Sequence, residues 1–538
     1  MKIREIIVIV FVAVVRASFA KEPALIVHLN EPGLEYFRRF AEITMKDLVA
    51  HFTIPELHYE DDSQAFELKE MVIVRYSDPK IRLSLLPPNS LGVNVRIPQL
   101  EARGRYGALK KVIKKGFLQK IDFFKNKLQD FTGLGVWDHG IFMAAVGYFH
   151  LYFEIQILKD EVGRFKLKST SCEANAADLD MDLQTNRAVD WLLRRMRGPI
   201  AETLKPIAEK KICENSRLYF DKSVNEFLQT IPPVVEMVMN FSIDTGLVRN
   251  PTITERYVET AHSGEIIYLR RQPIPLAPQP IQFAPTDGLN RMVYAWASEY
   301  MINSALYHSH MNGLFSIQVD KDKNPEMKDY LRTDCWLFGV CLASLWPNVK
   351  NSYPNSIGIF KIDMSQPPQV QVTPEGIVAN AKGLLKVLLE QPDVDPRDYH
   401  RLLDSLFEFE ALIKPRLDSK KNRVYIEIDM KTLNFDIQQI NDQGTMTKER
   451  FSKMLTQLGW PVIEFAASTY LGAGFPIEDT LGVHLINPTL KLREGVIEFG
   501  TELNYTLQVE PIELIGGKSL SVTAAPTIPM QQMGHGGI

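Results

Sequence analysis

The sequence predicts an α+β protein of two tandem elongated barrels, each a highly curved antiparallel sheet wrapped along two long helices. Three observations predict this fold class. A chain of 538 residues is too long for one hydrophobic core, a proline-rich stretch divides it, and each half contains amphipathic helices and alternating strands. With 45% hydrophobic residues and only four cysteines, the folds must be held together by burial.

The first twenty residues have the pattern of a secretory signal peptide. Two basic residues precede an apolar run from Ile6 to Val15, and Ser18-Phe19-Ala20 offers small residues at a cleavage site. The run is shorter than the roughly 18 residues that a membrane-spanning helix requires. We therefore expect removal of residues 1–20 and a secreted, extracellular product.

The first barrel is expected to open with an amphipathic helix after the turn Glu31-Pro32-Gly33-Leu34. Its apolar residues recur at three- or four-residue steps, whereas its charged residues take the other face. The apolar set is Leu34, Phe37, Ala41, Met45, Leu48 and Phe52, and the charged set is Glu35, Arg38, Arg39, Glu42, Lys46 and Asp47.

A half-buried antiparallel strand and a second helix complete the first half. Apolar residues alternate with polar ones along the strand, as expected when one face is buried. The apolar strand positions are Phe149, Leu151, Phe153, Ile155 and Ile157. The helix is predicted near Asn186 to Ile212, with Leu193, Met196, Ile200, Leu204 and Ile207 on one face.

The second half repeats this order after the proline-rich stretch, which indicates an internal duplication. Thr286-Asp287-Gly288-Leu289 precedes a predicted helix with Met292, Trp296, Tyr300 and Ala305 on one face. A strand with Val424, Ile426, Ile428 and Met430, and a helix near Lys448 to Leu471, follow. We therefore expect a first barrel over 21–269, an extended linker over 270–286, a second barrel over 287–515 and a disordered tail over 516–538.

Charge gives no sign of a nucleic-acid partner. Residues 21–270 are neutral by count, and residues 271–538 carry a net charge of -6. Positive charge is concentrated between Arg103 and Lys127, where Ile113, Phe117, Ile121, Phe124, Leu128 and Phe131 recur at helical spacing. Two interpretations stay open: a basic amphipathic helix that lies on an anionic membrane through Lys110, Lys111, Lys114, Lys115, Phe117 and Phe124, or a helix packed on its own barrel.

Motifs of catalysis are absent from the sequence, which has no Gly-x-Ser-x-Gly elbow, phosphate-binding glycine loop or paired-cysteine zinc motif. His308 and His310 fit a helix end better than a metal site. We therefore predict a protein that is not an enzyme and needs no metal or cofactor. Asn240-Phe241-Ser242 and Asn504-Tyr505-Thr506 are glycosylation acceptors by pattern.

Together these segments resemble the family of bactericidal/permeability-increasing protein, lipopolysaccharide-binding protein, phospholipid transfer protein and cholesteryl ester transfer protein, within the tubular lipid-binding superfamily. The order and spacing of five features carry the resemblance. They are Glu31-Pro32-Gly33-Leu34-Glu35-Tyr36, the cysteines 172 and 213, Asp244-Thr245-Gly246-Leu247, Asn290-Arg291-Met292-Val293-Tyr294, and Pro368 to Pro374 followed by Gly376.

The resemblance implies a boomerang of two barrels, each with an apolar pocket for phospholipid acyl chains. Periodicity alone does not distinguish such a pocket from a filled core. Guided by the resemblance, we expect the lining to include Phe37, Ala41, Met45, Leu48, Phe149, Leu151, Phe153, Met292, Trp296 and Tyr300. The resemblance also implies a disulfide between Cys172 and Cys213, whereas Cys335 and Cys341 are expected to be buried free thiols.

The function implied is that of a monomeric carrier, which moves phospholipid or a similar two-chain lipid between membranes or lipoprotein particles. One alternative is an innate-immune binder of bacterial lipopolysaccharide. The neutral first half weakens this alternative, because the family's bacterial-surface binders have a strongly cationic first domain. Another alternative is a structural or interaction ectodomain with filled barrels, which would contain no lipid.

Overall fold

A computed structural model describes most of the chain. The described residues are 22–54, 56–60, 64–111, 135–184, 190–283, 289–334, 341–346, 348–392, 399–441, 448–449, 452–453, 455–456, 475–476, 483–505, 512–514 and 518–520. The predicted signal peptide, the predicted basic helix over 113–131 and most of the helix predicted near 448–471 lie outside these residues.

Three long helices and several short ones are described. They are α1 (Glu31–His51), α2 (Asp190–Leu218), a π-helical segment (Tyr219–Val224), α3 (Asn225–Thr230), α4 (Glu299–Met311), α5 (Leu342–Leu345) and α6 (Val349–Ser352), with 3-10 turns at Val238–Asn240 and Pro325–Met327.

The described strands are numbered here in chain order. Up to the linker they are β1 (Leu25–Asn30), β2 (Thr53–Ile54), β3 (Leu57–Glu60), β4 (Gln64–Tyr76), β5 (Lys80–Leu86), β6 (Ser90–Ile97), β7 (Leu100–Lys111), β8 (Gly135–Lys159), β9 (Phe165–Gln184), β10 (Val234–Glu236), β11 (Phe241–Asp244), β12 (Thr252–Ile253), β13 (Tyr257–His262) and β14 (Ile266–Tyr268). After it they are β15 (Val293–Ser298), β16 (Ser316–Val319), β17 (Ile357–Met364), β18 (Gln369–Thr373), β19 (Gly376–Glu390), β20 (His400–Asp418), β21 (Arg423–Ile440), β22 (Phe475–Pro476), β23 (Val483–Arg493), β24 (Val496–Tyr505), β25 (Ile512–Leu514) and β26 (Lys518–Leu520).

The chain divides into two compact units. The first comprises described residues within 31–231, 250–258 and 507–538, and it contains α1, α2 and α3. The second comprises described residues within 1–30, 232–249 and 259–506.

The first barrel is built on an eight-stranded sheet in which β2, β4, β7, β8, β6 and β5 follow one another, with β3 on β4 and β9 on β8. The 25-residue strand β8 organises this sheet, since it pairs antiparallel with β6, β7 and β9. Phe149 and Leu151 lie opposite Ile97 and Val95 of β6, so these four side chains share one face. The strand predicted from the alternation around Phe149 is thus confirmed.

The second barrel is built on a seven-stranded sheet in which β16, β17, β19, β20, β21 and β22 follow one another and β18 pairs with β19. The same unit contains β1, β15, β24 and β23, which lie side by side in that order. The alternating residues Val424 to Met430 lie on β21, as predicted. The predicted fold class, α+β with curved antiparallel sheets accompanied by helices, is confirmed.

The prediction that Met292 and Trp296 lie on a helix is wrong. Trp296 lies on β15, which pairs with β1 and β24, and the helix α4 begins only at Glu299. Residues four apart share a face on a strand as well as on a helix, so the spacing of Met292, Trp296 and Tyr300 fitted both structures. Of these three residues, only Tyr300 lies on the helix.

The cysteine predictions had two outcomes. The disulfide between Cys172 and Cys213 is present, with a Cα separation of 5.7 Å, so that prediction is confirmed. Cys341 is also disulfide-bonded, so the expectation of a free thiol was wrong for it. Six residues of sequence separation looked too long for an extended strand, but Cys341 lies directly before α5 and not within a strand. Cys335 lies outside the described residues.

The linker and the tail were predicted from composition. Residues 270–283 contain no helix or strand, and 284–288 lie outside the described residues. Within the segment 516–538 the structure describes one strand, β26, which pairs with β25. The other residues of that segment lie outside the described part of the chain.

Candidate functional site

The helix α1 runs along the edge strand β5 and is held there by side chains. Arg38 Nη1 donates to the carbonyl oxygen of Ile81 at 3.2 Å, and Glu42 Oε1 accepts from the Ile81 N–H at 2.8 Å. An ion pair of 2.6 Å joins Arg38 to Glu42. Because β5 ends the order of strands in its sheet, these bonds satisfy backbone groups that no further strand pairs with.

The strand β9 is held in the same way, by side chains of α2 and of the segment that follows it. Each contact takes up an N–H group of β9 that β8 leaves unpaired. The side-chain oxygen of Glu209 accepts from the Ala176 N–H (2.8 Å), that of Asp221 from the Ser169 N–H (2.7 Å) and that of Asn225 from the Leu167 N–H (2.8 Å). Asn225 is buried, and its Nδ2 also donates to the Leu167 carbonyl. It therefore bonds both backbone groups of Leu167, as a neighbouring strand would.

The second barrel uses the same device. Asn303 of α4 accepts from the Val370 N–H at 2.8 Å and donates to the Val370 carbonyl at 2.9 Å, and Glu299 accepts from the Val372 N–H at 2.9 Å. The Ser452 hydroxyl donates to the Phe435 carbonyl of β21. In both barrels, therefore, these polar side chains of the helices bond strand edges.

The interior of the first barrel contains two apolar clusters that differ in how completely they are filled. The Phe142 cluster has eleven buried members, Leu57, Phe66, Leu68, Met71, Tyr106, Phe142, Met181, Leu183, Ile200, Ala201 and Leu204, and six partly buried side chains packed against them, Ile54, Tyr59, Ala144, Leu179, Ile207 and Ala208. The α1 cluster has Val49, Ile81, Val95 and Ile97 as its buried members, and its other members are only partly buried: Ala41, Met45, Ile73, Tyr76, Leu83, Val93, Leu100, Phe149 and Leu151. Its apolar surface is incompletely covered by protein.

The predicted lining residues of the first barrel fall mostly in this incompletely covered region. Ala41, Met45, Phe149 and Leu151 are partly buried members of the α1 cluster. The side chain of Phe153 is 3% exposed, and its ring lies 4.8 Å from that of Phe220. Phe37 is half-buried beside Tyr36, with 5.8 Å between ring centroids. The side chain of Leu48 is not among those that the structure describes.

The second barrel shows the same contrast. Its Trp346 cluster has ten buried members, Leu342, Trp346, Val349, Leu385, Val387, Leu389, Leu402, Leu403, Phe407 and Ile437, and eight partly buried side chains packed against them, Tyr353, Phe360, Ile362, Met364, Phe409, Phe435, Ile440 and Leu455. Its α4 cluster has three buried members, Val370, Val372 and Ile377, together with the partly buried Ile302, Leu306, Ala379, Ile413, Leu492 and Ile497. Sequence reasoning missed Ile302 and Leu306, which share a helical face and could have been found by the four-residue spacing.

The three residues predicted to line the second pocket lie elsewhere in its unit. Met292 and Trp296 are buried, and Trp296 packs with Ile26, Tyr294 and Val496. Tyr300 is 5% exposed, and burial, followed by the nearby carboxylate of Glu265, raises the pKa of its hydroxyl to about 12. These side chains are part of a packed core and not of the α4 cluster.

His308 and His310 lie in the last turn of α4. The Gln272 N–H donates to His308 Nδ1 at 3.3 Å, so Nε2 carries the proton and donates to Glu265 Oε1 at 2.9 Å. Arg271 pairs with Glu265 at 3.4 Å and with Asp244 at 2.7 Å. His308 therefore belongs to a hydrogen-bonded structural network.

One groove of about 430 Å³ lies against the disulfide of the first barrel. Its lining is largely charged, with Glu173, Glu209, Lys210, Glu214 and Arg217 beside the two cysteines. Removing such groups from water costs free energy, so the groove is unsuited to hydrocarbon. The incompletely covered α1 and α4 clusters are the better candidates for an apolar ligand.

The remaining predicted sites concern the surface. Lys110 and Lys111 end strand β7, and Lys114, Lys115, Phe117 and Phe124 lie outside the described residues. Asn240 is exposed at the end of a 3-10 turn, whereas Asn504 is half-buried on β24. Within the described part of the chain there is no group of three or more metal-ligating His, Cys, Asp or Glu residues, and no helix is long and apolar enough to cross a membrane.

In each barrel, polar side chains of the helices bond the strand edges, and part of the apolar surface is incompletely covered. These features are typical of proteins that bind apolar ligands. Residues 236–505 match the family model described as "LBP / BPI / CETP family, C-terminal domain". The chain belongs to this family, which comprises lipopolysaccharide-binding protein, bactericidal permeability-increasing protein and cholesteryl ester transfer protein.

Individual relatives are distant. Bactericidal permeability-increasing protein of Rattus norvegicus is 19% identical over 502 residues, which cover 90% of this chain and 95% of that protein. Lipopolysaccharide-binding protein of Homo sapiens is 23% identical over 372 residues, covering 66% and 70%. Cholesteryl ester transfer protein of Homo sapiens is 22% identical over 339 residues, covering 62% and 65%. A crystal structure of lipopolysaccharide-binding protein aligns with a TM-score of 0.48 at 17% identity, over 90% of this chain and 99% of that one.

Proposed function

We propose that the protein is a secreted, monomeric lipid carrier that holds phospholipid or a similar two-chain lipid in its barrels and moves it between membranes or lipoprotein particles. It acts by binding alone, without a catalytic step, metal or cofactor. The observation that carries the proposal is the α1 cluster, most of whose side chains, such as Met45 and Leu151, are only partly buried, whereas most of those in the Phe142 cluster are buried.

The energetics favour hydrocarbon as the occupant. Burying apolar surface gains roughly 0.8 kcal/mol for each CH2 group, so an acyl chain of ordinary length binds strongly without any polar contact. The partly buried side chains would gain cover at the same time. Arg38 and Glu42 pair with each other and with the strand edge, so their charges are compensated there and do not oppose binding of an acyl chain.

The names of relatives support a lipid ligand and differ on which one. One relative is named for lipopolysaccharide and another for transfer of cholesteryl ester. Residues 21–270 here are neutral by count, which favours lipids of modest charge over a polyanionic one. Lipopolysaccharide is therefore a competitor to be tested against phospholipid.

Two surface features belong to the proposal. The basic segment containing Lys110, Lys111, Lys114, Lys115, Phe117 and Phe124 contacts anionic membranes, where each basic residue contributes on the order of 1 kcal/mol. The sequons at Asn240 and Asn504 are glycosylated on secretion. Asn240 is the better acceptor of the two, because it is exposed whereas Asn504 is half-buried on a strand.

A pair of alanine substitutions tests the carrier proposal. Ala41 lies in the α1 cluster and Ala201, 8% exposed, in the Phe142 cluster. We expect Ala41→Trp to fill unoccupied space, so that the protein folds with unchanged stability but carries less lipid. Ala201→Trp should overpack a filled core and cost about 1–3 kcal/mol of unfolding free energy.

The measurement is mass spectrometry of organic extracts from purified, secreted protein, combined with chemical unfolding of both variants. Stoichiometric phospholipid in the wild type that falls in Ala41→Trp supports the proposal. Equal destabilisation by both substitutions with no lipid in any sample would indicate filled barrels. If added lipopolysaccharide displaces the bound lipid more readily than added phospholipid does, the result would favour the immune alternative.

A further inference from the structure

Three large apolar side chains are exposed at one end of the small sheet formed by β10, β11 and β14. Met237, Met239 and Leu269 are 48%, 75% and 56% exposed. Single apolar side chains on a protein surface are common, but a group of them at one place calls for a cover or a partner. These three residues are called the Met239 patch below.

Backbone hydrogen bonds bring the residues of the Met239 patch together. The Met237 N–H donates to the Phe241 carbonyl at 2.7 Å, which closes the turn between β10 and β11. The Leu269 N–H donates to the Asn240 carbonyl at 3.0 Å, so Leu269 lies beside that turn. Phe241 lies opposite Tyr268 with 4.9 Å between ring centroids, which fixes the turn to β14.

The backbone conformation of the patch is unfavourable for the residues that it contains. Met239 and Leu269 have φ angles of 58° and 56°, in the left-handed region that such side chains rarely adopt. A conformation of this kind persists only where the surroundings hold it, and it occurs most often at functional sites. Neither side chain is buried in return, so the fold holds both of them at the surface.

A glycosylation sequon lies inside the patch. Its acceptor, Asn240, directly follows Met239, and the Asn240 carbonyl is the group that Leu269 bonds. The Asn240 side chain is exposed, and its φ of 62° is one that asparagine adopts more readily than most residues. A glycan on Asn240 therefore begins next to both Met239 and Leu269.

The chemistry of a glycan suits this position. Its sugar rings carry C–H groups, which can cover apolar side chains, and hydroxyl groups, which keep their contact with water. A second copy of the chain would have to occupy the same surface to associate through the patch. Because the glycan is covalently attached there, its effective concentration at the patch is high and it excludes the second copy.

We propose that an N-linked glycan on Asn240 packs over Met237, Met239 and Leu269 and prevents the protein from associating with itself through them. This role rests on the glycosylation of Asn240 proposed above, and lipid inside the barrels is not required for it. The sequon at Asn504 has no such role, because Asn504 lies on β24 opposite His484 and not in the sheet that carries the patch.

Two substitutions of the same residue test the role of the glycan. Ser242→Ala removes the sequon and leaves Asn240 in place, whereas Ser242→Thr keeps the sequon and is the matched control. Asn504→Gln removes the other sequon and controls for the general effect of losing a glycan. A combined variant adds Met239→Asn and Leu269→Asn to Ser242→Ala, because asparagine is polar and tolerates the left-handed backbone.

Three measurements are made on the full chain, secreted by cells that attach N-linked glycans. Peptide mass spectrometry gives the occupancy of Asn240, and sedimentation velocity over a range of concentrations gives self-association. Oxidation by chloramine-T reports the local cover, since the rate at Met239 can be compared with that at Met311, which is 51% exposed on α4.

We expect Ser242→Ala to self-associate at a concentration roughly tenfold below that of the wild type and both controls, and the combined variant to recover. Relative to Met311, Met239 should be oxidised about threefold faster in Ser242→Ala than in Ser242→Thr.

Equal relative oxidation rates with Asn240 glycosylated would overturn the cover. Self-association that the combined variant retains, that Asn504→Gln shares, or that Ser242→Ala does not show would overturn the patch as its cause. A wild type without a glycan on Asn240 would overturn both the glycosylation and this role. Extracted lipid content, measured in parallel, reports the carrier proposal separately.

Discussion

The Phe142 cluster and the α1 cluster lie in the same barrel and share the strand β8, yet they are packed to different extents. Phe142 is 1% exposed, whereas Phe149, seven residues further along β8, is only partly buried. Both side chains are aromatic, and Phe149, but not Phe142, was expected from the sequence to lie in an apolar interior. The difference shows that an apolar face on a strand does not determine how completely protein covers it.

The second barrel repeats the contrast with different residues. Buried residues outnumber partly buried ones in its Trp346 cluster, and the reverse holds in its α4 cluster. In both barrels the incompletely covered cluster lies under the helix that follows β1 or β15. A repeated combination of a filled and an incompletely filled cluster argues that the incomplete packing is a property of the fold and not a local defect.

Truncating the two phenylalanines should give the largest difference. We expect Phe142→Ala to cost about 3–5 kcal/mol of unfolding free energy, because it removes a ring from a filled core. Phe149→Ala should cost less than half as much, since its ring is already partly uncovered. Hydrogen exchange of β8 amides in the full chain measures both, with β20 amides as the internal control. Equal costs would remove the distinction between the clusters.

The strand-edge contacts come next in size. Asn225 is 7% exposed, and Asn303, which bonds Val370 in the same way, is half-buried. Asn225→Ala leaves two backbone groups of Leu167 unsatisfied, and we expect it to cost about 1–3 kcal/mol. Asn303→Ala should cost less, because Asn303 itself is only half-buried and water can replace its side chain more easily than that of Asn225.

The measurement for the edge contacts is hydrogen exchange at peptides covering Leu167 and Val370. Each substitution should speed exchange mainly at its own strand. Ser452→Ala, which removes one bond and not two, provides a smaller step on the same scale. Uniform acceleration over the whole barrel would mean that these contacts hold the entire fold and not only the edge.

The smallest expected effect is that of low pH, which should destabilise the second unit, around His262, more than the Phe142 cluster of the first. Burial, opposed in part by the hydrogen bond to the Thr245 carbonyl, lowers the pKa of His262 below its usual value. The unfolded chain therefore binds a proton near pH 6.5 that the folded chain refuses, and stability is lost as pH falls below that value. The Phe142 cluster has no histidine among its described members.

Hydrogen exchange at pH 7 and pH 5 checks this expectation. Amides around His262 should exchange faster at pH 5 after correction for intrinsic rates, while those of the Phe142 cluster change less. In His262→Asn the pH dependence around residue 262 should become shallower. A pH dependence that is unchanged in this variant would assign the effect to another group.

Sequence reasoning succeeded where one periodicity applied. The steps from Leu34 to Met45 fit only a helix, and the alternation from Phe149 to Ile157 fits only a strand, and both were correct. It failed where two periods coincide, as at Met292 and Trp296. Counting the intervening Tyr294 as apolar would have favoured the strand, because buried residues then recur at every second position.

The candidate site was only partly predictable for a different reason. Arg38 and Glu42 were assigned to the solvent face of α1, yet they bond the backbone of Ile81. A charged residue at the border of an amphipathic helix looks the same in sequence whether water or a strand edge receives it. Fully and partly buried positions likewise share one apolar pattern, so the partial burial of residues such as Met45 could not be predicted from the sequence.

The helix side chains that bond the strand edges have a further consequence for the protein in concentrated solution. A strand such as β9, with 20 residues, would present a row of free N–H and C=O groups on which another copy could pair. Asn225, Asp221 and Glu209 occupy positions along that row and orient a helix over it. The protein can then keep long edge strands and remain monomeric. Loss of these side chains would first be detected as self-association between copies.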